Sequence, residues 1–172
     1  MDRMKDQSNI KVSASTWEKL FHFFAFIVII VMFVYAIVMF NRLPDEVPIH
    51  FNAAGEADNW GGRGSIFMLP LLSLPMFMLL FFLGKAPHIH NYPVKVTEQN
   101  APKLYRESRL LLAAMNFEMV AIFALITWEM AHTAQGNATM GVWMIVLITI
   151  APLATIGYFL LRMNRLKKEL TS

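Results

Sequence analysis

Four apolar stretches decide what this chain can fold into: Phe23–Phe40, Ile66–Leu83, Leu110–Trp128 and Val142–Leu161, of 18, 18, 19 and 20 residues. About 18 apolar residues in a helix are what roughly 30 Å of hydrocarbon demands. Only one charged side chain, Glu118, lies inside the four stretches. Charged residues make up 16% of the chain, against roughly 25% in an ordinary soluble domain. These features exclude a soluble domain and a nucleic-acid reader. The absence of cysteine excludes a disulfide scaffold, a thiolate nucleophile and a Cys-ligated metal. The expected fold class is an all-α integral membrane protein with four transmembrane helices and the lipid bilayer as its main partner.

Charge placement orients that fold. With the N-terminus in the cytoplasm, inner segments carry thirteen of the fifteen Lys and Arg, from Arg3, Lys5 and Lys11 through to Arg162, Arg165, Lys167 and Lys168; outer segments carry Arg42 and Arg63. Positive charge concentrated in short loops on one side marks the cytoplasmic side. Both termini are therefore expected inside, in a multi-pass protein of the cell membrane. Three segments follow: a cytoplasmic stretch 1–19; a membrane unit 20–83 with an outer loop 41–65 between helices one and two; and 84–172, comprising an inner loop, helices three and four and a basic C-terminus. The first apolar run is longer than a signal peptide's and has no small-x-small site after it, so it reads as a retained anchor.

Local signals refine the elements. Ser15-Thr16-Trp17-Glu18 has the form of a capping box. Ser65 suits the N-cap of helix two, and Pro70 and Pro75 predict a kink or locally opened backbone in that helix. Helix three starts at Thr97 or Asn100, with Pro102 in its first turn. His88-Ile89-His90, read as extended chain, places both rings on one side.

The outer loop holds the densest chemistry. Pro44 and Pro48 restrict the backbone and bias the residues before them towards extended conformations. In an extended 47–52, Ile49 and Phe51 face one way and His50 and Asn52 the other. A turn at Gly55 brings Asp58 and Asn59 back towards the polar side. With Asp45 and Trp60, this makes Pro44, Asp45, Pro48, His50, Asn52, Gly55, Asp58 and Trp60 the candidate ligand-binding set. His50 with Asp58 is also a candidate divalent-metal pair. The competing reading is an ordered cap whose polar groups satisfy its own backbone.

Glu118 is the second candidate. A charge near the bilayer midplane costs at least ~3 kcal/mol, so such a residue faces protein and is a functional candidate by default. Glu107, Glu118 and Glu129 recur every eleven residues, about three turns, and share one helix face with His132 a turn beyond Glu129. A carboxylate track of this kind suggests proton or cation movement. The alternative pairs Glu107 with Lys103, leaves Glu129 and His132 in the outer interface, and gives Glu118 a hydrogen bond to helix two or four. No nucleophile elbow, P-loop, HExxH motif or nucleotide-binding glycine pattern occurs, so no catalytic residue and no required cofactor are named.

The loop pattern Leu43-Pro44-Asp45-x-Val47-Pro48-x-His50-Phe51-Asn52-x-x-Gly55-x-x-Asp58-x-Trp60-Gly61 resembles the signature of the bacterial membrane family called domain of unknown function 1648. The same domain begins the immunity proteins of the sporulation-delay toxin, the SdpI type. Asn91-Tyr92-Pro93-Val94-x-Val96-Thr97-Glu98-x-Asn100-Ala101 is similar to the short members of that family. The sequence departs from the pattern at Gly62-Arg63-Gly64-Ser65 and at Pro102. The resemblance implies a non-enzymatic binding, immunity-like or sensory role for the outer loop. Its ligand would be a peptide toxin, a lipid or another envelope component, with a membrane-protein partner or a second copy as further candidates. A small-molecule or ion transporter using Glu118 and a metal-dependent membrane enzyme are the alternatives.

Overall fold

The computed structural model describes Ile10, residues 12–139 and residues 141–171. Arg3, Lys5 and Lys11 of the charge count lie outside the described residues. Four long helices dominate: α1 (Thr16–Phe40), α2 (Met68–Gly84), α3 (Ala101–Ala134) and α4 (Val142–Thr171). Each is long and apolar enough to cross a membrane, α2 when taken together with the 3₁₀ turn before it as Arg63–Gly84. The loop after α1 is a hairpin of β1 (Glu46–Phe51) and β2 (Ala57–Gly62), followed by a 3₁₀ turn, Arg63–Phe67, that leads into α2. The fold is thus mostly helical with a small antiparallel sheet, rather than all-α.

Helices α1 and α3 begin earlier than their apolar runs because polar residues at their starts find partners. Ser15 caps α1, its Oγ accepting from the Glu18 N–H at 3.1 Å. The capping box closes only halfway, since the Glu18 carboxylate goes to Arg109 instead of the Ser15 N–H. Asn100 precedes α3 and interlocks with Thr97: the Thr97 N–H donates to Asn100 Oδ1 at 2.8 Å, and the Ala101 N–H to the Thr97 carbonyl at 2.9 Å. Ser65 does not cap α2; it sits inside the 3₁₀ turn, whose preceding residue is Gly62. Helix α2 runs unbroken through Pro75. Two of its carbonyls take side-chain donors, Pro70 from Ser73 at 2.6 Å and Phe77 from Asn116 Nδ2 at 3.1 Å.

Helix α3 is the hub. It contributes Met130 and Ala131 to a core cluster with Ala36, Met39, Leu43, Val47 and Ile66 at the hairpin end. In mid-helix it adds Val120 to Ala25 and Ile29, and at the opposite end Ala101, Leu104 and Tyr105 pack with Val12, Tyr92 and Met163. Several helix contacts are made by small, fully buried residues: Ala25, Ala36, Ser73 and Ala113. Among helices surrounded by lipid there is little hydrophobic gain in association, so close backbone approach through small side chains is the expected solution. Helix α4 packs chiefly on α3 and keeps most of its surface open. The arrangement is therefore not a closed bundle, and clefts remain where α4 stands away from α1 and α2. The start of α1 and the last third of α4 lie at the same end, because Glu18 meets Arg109 and Arg162 meets Glu107.

Candidate functional site

The hairpin is locally encoded. Asn52 builds its turn: Oδ1 accepts from the N–H groups of Ala54 (2.8 Å) and Glu56 (3.0 Å), while Nδ2 donates to Glu56 Oε2 at 3.2 Å. Gly55 closes the turn at φ 77°, in the left-handed region that favours glycine. Leu43, Val47, Pro48 and Ile66 are buried beneath the strands, so the hairpin is docked and not a free loop.

The register is irregular. Glu46 pairs with Gly62, Val47 with Gly61, Pro48 with Trp60, His50 with Asn59 and Phe51 with Ala57, with a shift on each side of His50. Bulges of this kind bend a strand and re-aim side chains. Strict alternation therefore fails: Val47 and Pro48 are buried in succession, and Ile49, His50 and Phe51 all border one groove. The same irregularity brings His50 Nδ1 to Asp58 Oδ1 at 2.5 Å, both side chains being substantially exposed.

The expected polar cluster is thereby divided. His50 and Asp58 meet, whereas Asn52 is spent on the turn and Asn59 Oδ1 accepts from the Trp60 N–H. Asp45 faces Arg63 at 3.4 Å, and Pro44 is exposed. Among the described residues no three His, Asp or Glu side chains form a set able to hold a metal ion. Beside His50 lies a groove of about 250 Å³ with apolar walls from Met68, Ile126, Met130, Met144 and Ile148. Trp60 and Ile49 are exposed at the same end.

Two of the α3 carboxylates, Glu107 and Glu118, do share a face, and it is the one turned to α4. Thr155 Oγ1 donates to Glu118 Oε1 at 3.3 Å, so Glu118 has the helix-four partner that the alternative reading requires. It borders a cleft of about 290 Å³ with Phe21, Ala114 and Ala121. Glu107 pairs with Arg162 Nη2 at 2.6 Å and not with Lys103. Glu129 is fully buried, and the His132 ring stacks on Trp128 at 4.6 Å. Spacing finds the shared face but cannot find partners that are dozens of residues away.

A polar network at the opposite end is invisible to motif reading. His88-Ile89-His90 is not extended: Pro87–Ile89 form a 3₁₀ turn, and the His90 Nε2–H donates to the Leu83 carbonyl at 3.0 Å. Burial lowers the His90 pKa; the Leu83 hydrogen bond opposes this shift and nearby His88 adds to it. Tyr92 Oη donates to the Pro87 carbonyl at 2.8 Å and lies 2.8 Å from Ser108 Oγ. Burial pushes the Tyr92 phenol from 10.0 up to about 12, with Ser108 acting against the shift and Tyr105 adding to it. The folded state thus holds the Tyr92 proton more tightly than the unfolded chain does. The stability from this burial is intact below pH 10 and is lost as pH rises towards 12. In a tyrosinate absorbance titration Tyr92 is expected to ionise last, and that final step should disappear in Tyr92→Phe.

Comparison with known proteins agrees with the hairpin as the distinctive part. Residues 27–74, from mid-α1 through the hairpin into α2, match the family described as "Domain of unknown function (DUF1648)". An uncharacterized protein of the archaeon Archaeoglobus fulgidus is 29% identical over 106 residues, 58% of this chain and 58% of that protein. The chain therefore matches little more than half of that relative's length. No solved structure matches. The match to the DUF1648 family is thus confined to the segment 27–74, with the hairpin at its centre.

Proposed function

We propose that the chain is a non-enzymatic membrane receptor whose hairpin faces the outside of a prokaryotic cell and captures an amphiphilic peptide, in an immunity-like role. The observation that carries this reading is the form of β2: it belongs to a two-stranded sheet, its central residues Asp58, Asn59 and Trp60 are exposed, and among the described residues no strand pairs with its second edge. An open edge strand can accept an extended peptide through backbone hydrogen bonds, with side-chain contacts supplying specificity. The His50–Asp58 pair offers polar recognition, and the groove beside His50 offers an apolar seat. The distribution of Lys and Arg supports placing the hairpin outside.

The test is a growth challenge. Cells expressing the wild type or His50→Ala/Asp58→Ala at equal membrane levels meet a panel of membrane-active peptides and envelope toxins. Survival is expected to rise with the wild type and to fall back to the empty-vector level with the double variant. Equal protection by both proteins would remove the hairpin pair from the role. A second reading, ion or small-molecule transport, is favoured by one feature: Glu118 Oε2 is buried without a hydrogen-bond donor among the described residues. Unchanged proteoliposome flux in Glu118→Gln would eliminate it.

A further inference from the structure

Ten residues line the groove beside His50, and four of their side chains have a lone pair to give: the His50 imidazole and the thioethers of Met68, Met130 and Met144. The other six are Ile, Leu or Phe. The four donor residues come from four different elements: His50 from β1, Met68 from the first position of α2, Met130 from α3 and Met144 from the first turn of α4. Methionine supplies three of the ten lining residues against 13 of 172 in the chain, so the groove concentrates it.

The His50 ring is arranged as a metal ligand would be. An ionised carboxylate only accepts, so the 2.5 Å contact has His50 Nδ1–H donating to Asp58 Oδ1. In the neutral ring this leaves the lone pair on Nε2, and among the described residues no hydrogen bond occupies it. A ligating histidine almost always gives its other N–H to a carboxylate, a carbonyl or water, which fixes both tautomer and ring orientation. Asp58 lies outside the lining, so it stands behind the imidazole and not among the donors.

The donor set selects the ion. Among the described residues the lining holds no carboxylate, and the chain has no cysteine. Zinc, calcium and magnesium sites are built from thiolate, imidazole or oxygen ligands. Thioethers are soft, neutral donors that favour Cu(I). Neutral donors with one carboxylate behind them balance a single positive charge better than two. Methionine has three rotatable bonds and a polarizable sulfur, so the thioethers can close on an ion smaller than the groove. We propose that the groove binds a soft monovalent cation, Cu(I) with Ag(I) as its analogue, through His50 Nε2 and the sulfurs of Met68, Met130 and Met144. The site goes beyond peptide capture and does not depend on it.

The test uses the full chain in phosphatidylcholine nanodiscs without oxygen, with Cu(I) delivered from its bicinchoninate complex and empty discs subtracted. The wild type is expected to withdraw Cu(I) from the chelator saturably; Ag(I) should displace it and Zn(II) should not. Asp58→Asn, which keeps the ring but removes the charge behind it, should weaken Cu(I) binding about 10–100-fold. His50→Ala and Met68→Leu/Met130→Leu/Met144→Leu should each lose binding. Methionine-to-leucine exchange nearly conserves volume, so helix content and melting should stay close to the wild type. Should the triple variant not fold, Met68→Leu alone, at a position 50% exposed, should still weaken binding at least about tenfold. Met78→Leu, exposed elsewhere on α2, should bind as the wild type does. X-ray absorption of the bound copper should show sulfur neighbours together with nitrogen. Wild-type affinity in both His50→Ala and the groove methionine variants overturns the proposal. So does Zn(II) competing as well as Ag(I), a loss in Met78→Leu equal to that in Met68→Leu, or copper with only nitrogen and oxygen neighbours.

Discussion

Replacing Arg109 with alanine is expected to cost the fold about 3–5 kcal/mol, the usual consequence of leaving a buried charge without its partner. Arg109 donates through Nε and Nη2 to Glu18 Oε1, at 3.1 and 2.6 Å, and through Nη1 to the Val12 carbonyl at 2.6 Å. The Arg109 and Glu18 side chains are only 14% and 8% exposed, so solvent screens the pair little. Truncation strands an ionised carboxylate at the start of α1 and an acceptor in the segment before it. The variant should unfold at markedly lower denaturant in micelles, as followed by circular dichroism. Glu18→Gln/Arg109→Met should recover most of the loss, because removing both charges removes the desolvation cost together with the attraction. Asp45→Ala provides the contrast: it ends a pair whose Asp45 side chain is 92% exposed, and no measurable change is expected. Equal losses in Arg109→Ala and Asp45→Ala would refute the argument.

These ion pairs also show where a sequence stops being readable. The four spans are legible because hydrocarbon thickness imposes a length and a composition that few other structures need. The starts of α1 and α3 are partly legible, since Ser15 and Asn100 are local signals. That α3 extends nine residues upstream of its apolar run, to Ala101, depends on Glu107 and Arg109 meeting Arg162 and Glu18, and no local pattern encodes those encounters. The hairpin divides in the same way. Pro48 and Gly55 mark an extended segment and a turn, and the structure has both. The bulges that join His50 to Asp58 while turning Asn52 and Asn59 to local duties arise from how the docked strands meet the end of α3, so period-2 reasoning misassigns the faces. The cleft bounded by the end of α2, α3 and α4, opposite the hairpin, lies furthest from sequence reasoning. Its wall residues belong to four separate segments, and Glu107 there looks like an ordinary partner for Lys103 until α4 brings Arg162 to it.

Gly55→Ala is expected to detach the hairpin without melting the helices. Gly55 is buried with φ 77°, and a Cβ placed on it would overlap the backbone carbonyl of Gly141, at the start of α4. The left-handed conformation alone costs an alanine about 1–2 kcal/mol. The overlap adds to that cost because the obstacle is main chain, which cannot swing aside like the end of a side chain. Relief requires the turn to move away from α4, shifting the strands that hold His50 and Asp58 in register. Gly136→Ala is the matched control: its φ of 83° imposes the same conformational penalty, but nothing lies within 4 Å of a Cβ there. Hydrogen exchange across β1 and β2 should therefore accelerate strongly in Gly55→Ala and little in Gly136→Ala, with far-ultraviolet helix content unchanged in both. If the hairpin is the capturing element, Gly55→Ala should lose peptide protection as completely as His50→Ala/Asp58→Ala. Full protection by a Gly55→Ala protein with accelerated exchange would show that a docked hairpin is not what the role requires.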